Sequence, residues 1–258
     1  MEGASALPHL MTSFRAAINI LTRIPIGFGR QIPTPLQSAV PWFPLVGALI
    51  GSVVGLIYVG FVQLLPSTVA AVLAVGCGIV LTNAFHVDDG ASPFAGGATK
   101  EPQRGIFRDS KLGVYRTSAL ALLLLLEMAA LATLSPWVGF TSVVAAHSTS
   151  RSAAVGVAAL SAKAAKKGLG VDYVSEINRF RSLLGIAAGS AISVLLTGSA
   201  GFLLLAFAIP TTVLVSIWSY RSVGGIAGDS LGAIAQLSQT SVLLGAVVLN
   251  DGVCACSW

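Results

Sequence analysis

From residue 45 onward the chain alternates long apolar runs with short polar breaks. Residues 45–65 and 67–86 are apolar almost throughout and are parted only at Pro66. A Gly-rich, charged segment, 87–116, follows. Residues 117–134 and 136–158 form a second pair, joined at Ser135-Pro136. A basic segment, 159–182, leads into 183–197 and 200–219, and a short Gly-rich loop, 221–230, leads into 231–249. Most of these runs approach the roughly 20 apolar residues that carry a helix across hydrocarbon. The pattern therefore predicts an all-α, polytopic membrane helix bundle with about 7 transmembrane helices. The run at 183–197 is short and contains Gly, so six or eight spans also fit. Ahead of them, residues 10–24 place Leu10, Phe14, Ile18 and Leu21 at helical spacing, with Arg15 and Arg23 off that stripe. This is an amphipathic helix, lying at the interface or packed on the bundle. A polar stretch through Arg30, Pro33 and Pro35 comes next. The expected organisation is a single integral membrane domain over 1–258, with 1–44 as an interfacial segment and 45–249 as the bundle. No cleavable signal-peptide pattern is evident in 1–44.

Composition supports the bilayer as solvent. Of 258 residues, 55% are hydrophobic and 10% charged, against about 25% charged in a soluble domain; mean hydropathy is +0.85. The net charge of +5 does not point to nucleic acid, because excess Lys and Arg in a membrane protein reports topology and anionic headgroups. With seven spans and residue 1 inside, the inside segments are 1–44, 87–116, 159–182 and 220–230. All 15 Lys and Arg fall in or beside them, with Arg151 the deepest, and the turns at 65–67, 134–136 and 197–200 contain none. This asymmetry is what retention of basic residues on the cytoplasmic side produces. Three cysteines form no disulfide framework. Gly47, Gly51 and Gly55 make a small-residue ladder suited to close helix packing.

Candidate chemistry gathers at helix ends on one face. Asp88 and Asp89 open the 87–116 loop beside His86. Asp109 closes it within Arg108-Asp109-Ser110-Lys111. Asp229 sits in the Gly-rich run from Gly224 to Ala233. Mg²⁺ prefers carboxylate oxygens and bridges to substrate phosphates through one or two of them. Arg104, Arg108 and Lys111 suit phosphate binding, and the nearby glycines let backbone approach an anion. These parts fit metal-assisted displacement at a phosphoanhydride, with His86 as candidate base. Solvated boundary residues and ordinary Gly-Asp turns would give the same spacing. His147 and Arg151 stand one turn apart inside the fourth span, where ionisable groups face a bundle interior or a watery cavity. Arg151 is a candidate catalytic residue, expected near the carboxylates; Glu127 is a candidate partner for it, although their depths look mismatched.

In order and spacing, Thr22-Arg23-Ile24-Pro25, Phe43-Pro44-Leu45-Val46-Gly47, His86-x-Asp88, Arg108-Asp109-Ser110-Lys111-Leu112-Gly113, Ser150-Arg151, Gly168-Leu169-Gly170 and the Gly224–Ala233 run resemble the cobalamin synthase family, the adenosylcobinamide-GDP ribazoletransferases. The resemblance implies an integral membrane enzyme that joins adenosylcobinamide-GDP to α-ribazole or its 5′-phosphate, releases GMP and uses Mg²⁺. It places the enzyme in a bacterial or archaeal cytoplasmic membrane with its active face inward. The implied partners are the nucleotide-activated corrinoid, α-ribazole and membrane lipids, with no nucleic acid; an oligomer is left open. In that family the first loop reads like His-x-Asp-Gly-x-Ala-Asp-x-x-Asp-Gly. Here Asp89 stands at the first glycine, and Ser92 and Ala95 replace the two later aspartates. The replacements raise an alternative, a relative that has lost catalysis and serves as a binding subunit. A CDP-alcohol phosphotransferase-like lipid enzyme is a further alternative, but its longer aspartate signature is not found in the chain.

Overall fold

The structure, a computed structural model, describes residues 6–26, 38–82, 84–94, 114–161 and 177–250. Among them, helices account for every element: α1 (Ala6–Leu21), α2 (Phe43–Val62), α3 (Ser67–Thr82), α4 (Phe85–Gly90), α5 (Val114–Thr133), α6 (Pro136–Leu160), α7 (Arg179–Thr197), α8 (Ala200–Val223) and α9 (Gly228–Asn250), with short 3₁₀ turns at Val40–Trp42 and Ser92–Phe94. The seven apolar runs all appear as helices. Among the described residues, four stretches are by themselves long and apolar enough to cross a membrane: Val40–Val62, Arg179–Thr197, Ala200–Ser222 and Gly228–Asn250. The chain is a multi-pass membrane helix bundle. α1 lies against it, with Ala16, Ala17 and Leu21 in the main core.

α6 is the axis of the bundle, packed by α2, α7, α8 and α9. Every residue from Thr141 to Ser152 is buried. A helix ringed by protein need not be apolar to lie in a membrane, which is why this one carries Ser, Thr, His and Arg. Its neighbours approach through small residues. Gly51 has no room for a Cβ, which would stand 2.8 Å from Val144 Cα; one on Gly55 would stand 2.7 Å from the Phe140 ring. The glycine ladder is the face that α2 presents to α6. On the other side, Ser148 Oγ lies 3.1 Å from Pro44 O and 3.2 Å from Gly189 O, joining three helices at one hydroxyl. Gly51→Ala is expected to force α2 off α6 and cost about 1–3 kcal/mol, the usual effect of overpacking. Thermal unfolding in detergent micelles measures it.

The second apolar run, expected to continue to residue 86, ends as a helix at Thr82. Ala84 takes a left-handed backbone (φ 56°), its N–H reaching back to Ile79 O at 2.9 Å. A non-glycine residue pays roughly 1–2 kcal/mol for this conformation. The turn breaks α3 and starts α4 as a separate short helix packed against α9.

Candidate functional site

α4 carries His86, Asp88 and Asp89. Its described side chains show how it is seated. Asp89 is half-buried and packs its carboxylate onto Gly232, where any Cβ would collide with Asp89 Oδ2. One turn further along α9, Gly90 faces Gln236; a Cβ on Gly90 would meet Gln236 Cγ at 2.6 Å. Both contacts use one stripe of α9. Asp229, Gly232, Gln236, Gln239 and Thr240 recur at intervals of three and four residues and so share a face. Asp229 lies in the first turn of α9, so it stands one turn from the glycine that receives Asp89. The loop before it is folded inward. Gly225, Ile226 and Ala227 are buried, and Ser219 Oγ donates to Gly225 O at 2.7 Å.

Further along the same stripe is a polar cluster inside the bundle. Glu127 on α5 is buried and accepts from Gln236 Nε2 at 2.8 Å, from Thr240 Oγ1 at 2.8 Å and from Gln239 Nε2 at 3.2 Å. The Oε1 of Gln239 accepts from Arg151 Nη1, which also donates to Ser150 Oγ at 2.9 Å. Arg151 and Glu127 thus meet through one amide that accepts at one end and donates at the other. The offset in depth expected between them is spanned by Gln239. Arg151 Nε is buried and has no hydrogen-bond partner among the described residues. A small cavity of about 30 Å³, lined by Val87, Glu127, His147, Arg151, Gln236 and Gln239 among others, lies beside it, with room for a water or two.

Of the sequence candidates, Asp89 and Asp229 are brought to one end of α9. His86 and Asp88 lie on α4, but their side chains fall outside the described residues, as do Arg104, Arg108, Asp109 and Lys111 altogether. Arg151 is held by Gln239 and Ser150, about 15 Å from the Asp229 end of α9 at ~1.5 Å per residue. Ser92, at the position of a missing motif aspartate, is buried, and its Oγ has no partner among the described residues. Among the described residues no three His, Cys, Asp or Glu form a metal cluster. Asp89 and Asp229 are of the donor type that Mg²⁺ takes, one or two carboxylates at a time beside substrate phosphate and water. Gln236, Gln239 and Thr240 were missed by reasoning from sequence. Three polar residues at i, i+3 and i+4 inside an apolar run were the signal.

The family model for cobalamin-5-phosphate synthase matches residues 13–247. The chain belongs to that family. Curated relatives named adenosylcobinamide-GDP ribazoletransferase cover nearly all of it. One from Shewanella frigidimarina is 32% identical over 98% of this chain and 100% of its own length. One from Shewanella denitrificans is 32% identical over 89% and 93%, and one from Bradyrhizobium diazoefficiens is 28% identical over 98% and 99%. No solved structure matches the chain. The multi-pass helix bundle is thus the fold of a cobalamin-5-phosphate synthase family member.

Proposed function

We propose that this chain is an adenosylcobinamide-GDP ribazoletransferase. The observation that carries the reading is the family match across residues 13–247, which includes α4 and the whole Gly-rich entry to α9. In the reaction, a ribose hydroxyl of α-ribazole or its 5′-phosphate attacks the corrinoid-side phosphorus of adenosylcobinamide-GDP. The bond to the bridging oxygen breaks, GMP leaves with that oxygen, and adenosylcobalamin or its phosphate is formed.

In this reading Asp88, Asp89, Asp109 and Asp229 form the carboxylate set for Mg²⁺. When bound, Mg²⁺ would neutralise charge on the pyrophosphate and on the departing GMP. His86 takes the proton of the incoming hydroxyl. Arg104, Arg108 and Lys111 hold phosphate oxygens, the arginines as forks and the lysine as a point charge. Arg151 belongs to the bundle interior and acts through Gln239. The basic segments on the α4 side make that face cytoplasmic by the retention of Lys and Arg, so the site opens to soluble α-ribazole at the inner face of a bacterial cytoplasmic membrane.

Purified protein incubated with adenosylcobinamide-GDP, α-ribazole and Mg²⁺ is expected to yield cobalamin and GMP in equal amounts. No product, under conditions where one of the named relatives turns over, rejects the reading. Product from Ser92→Asp with Ala95→Asp but none from the wild type identifies a lapsed enzyme on an intact scaffold.

A further inference from the structure

Glu127 lies in no motif of the proposed site and is 37 residues from the nearest of α4 (127 against Gly90), yet one side chain joins the two. Gln236 donates to the Glu127 carboxylate at 2.8 Å and, by its aliphatic stem, fills the space in front of Gly90. Gln236 is buried, so its amide has lost water and depends on that acceptor. The preceding turn of α9 offers Gly232 to Asp89, and Val87 of α4 lines the cavity that Glu127 and Gln236 share. α4 is only six residues long, too short to hold its own shape; what it packs against sets where its carboxylates stand. The Glu127 carboxylate accepts from three side chains of α9, which fixes that helix in rotation about its axis as well as in depth.

We propose that Glu127 is a positioning residue: acting through Gln236, it sets α4, with His86, Asp88 and Asp89, against the Gly232 face of α9. The seating of α4 is a property of the fold; its consequence for turnover rests on the ribazoletransferase reading. A change in Gln236 should therefore alter the α4–α9 geometry whether or not the protein is active, and should alter the Mg²⁺ requirement only if it is.

The test uses the full chain with Cys77, Cys254 and Cys256 changed to Ser and a cysteine pair introduced by Asp89→Cys and Gly232→Cys. These positions are near enough to bridge after a small shift, a disulfide needing Cβ atoms about 3.8 Å apart. Oxidation is expected to close the bridge readily. Adding Gln236→Leu is expected to slow closure about tenfold, the effect of losing one buried hydrogen bond. Glu127→Gln combined with Arg151→Met, which keeps an acceptor oxygen and strands no charge, is expected to stay within about threefold of the parent. Tyr58→Phe is the control for general destabilisation, because it deletes a buried bond to Leu134 O, 2.8 Å, far from α4; it should leave the rate unchanged. In the protein with Asp89 and Gly232 intact, Gln236→Leu should raise the Mg²⁺ needed for half-maximal turnover about tenfold, the low end of what loss of a ligand's supporting contact costs. A parent pair that never closes, a Gln236→Leu rate equal to the parent, or an equal slowing by Tyr58→Phe overturns the proposal. Failure of the function reading looks different: no product from wild type, with the contrast in closure rates intact.

Discussion

Arg151→Ala is expected to cost about 3–5 kcal/mol of stability, because removing one member of a buried charge pair strands the other. Glu127 and Arg151 are both buried and are linked through Gln239. Without the guanidinium, Gln239 Oε1 loses its donor and the Glu127 charge loses its counter-ion. Glu127→Leu should be as damaging for the mirror reason, leaving Arg151 charged inside the bundle and three α9 donors without an acceptor. The double variant Arg151→Met with Glu127→Gln removes both charges, and the amide introduced on α5 still offers one acceptor and one donor to its neighbours. It should be more stable than Arg151→Ala, with a coupling of about 0.5–3 kcal/mol between the two positions. Denaturant unfolding in micelles of Arg151→Met, Glu127→Gln and their double variant measures the cycle. Strict additivity would return Arg151 to the role of an isolated packing residue.

The existence of the membrane helices was legible because a bilayer demands a long apolar run, and α2, α8 and α9 each supply one; α7 begins at Arg179, four residues ahead of the run at 183–197 that reads as short. α6 was legible for a weaker reason. Its run at 136–158 contains His147, Arg151 and several hydroxyls, yet Pro136 starts it and its apolar neighbours frame it; only the structure shows that protein, not lipid, surrounds residues 141–152. The break after Thr82 was not legible. Phe85-His86-Val87 reads as a continuation of α3, and nothing local announces a left-handed Ala84. The cause is tertiary: α4 has a seat on Gly232 and Gln236, 140 residues or more downstream. The Gly-rich entry to α9 was singled out as a place where backbone could approach an anion. Gly232 does meet a carboxylate, but it is the chain's own, that of Asp89. Glu127 and Arg151 were each recognisable as costly in a membrane, whereas their link through Gln239 required knowing which face of α9 turns inward.

The largest effect on turnover is expected from Asp88→Asn. The substitution keeps the size of the side chain and removes the negative oxygen that a hard cation requires. Losing only the outer partner of a metal ligand costs 10–100-fold, so losing a ligand itself should lower the rate by more than about 100-fold. It should also raise the Mg²⁺ concentration at half-maximal rate. His86→Ala acts on a different step. General-base assistance is worth roughly 10²–10⁴-fold, so this variant slows without abolishing turnover. Its half-saturating Mg²⁺ should stay at the wild-type value, and its rate should climb with pH as hydroxide substitutes for the missing imidazole. The pair is informative because the two residues lie two positions apart on one six-residue helix, where general damage to α4 would affect both readouts together. Mg²⁺ titrations and pH–rate profiles of both variants, with cobalamin as the product followed, separate the roles. An Asp88→Asn enzyme with the wild-type rate and Mg²⁺ dependence removes Asp88 from the proposed cation site.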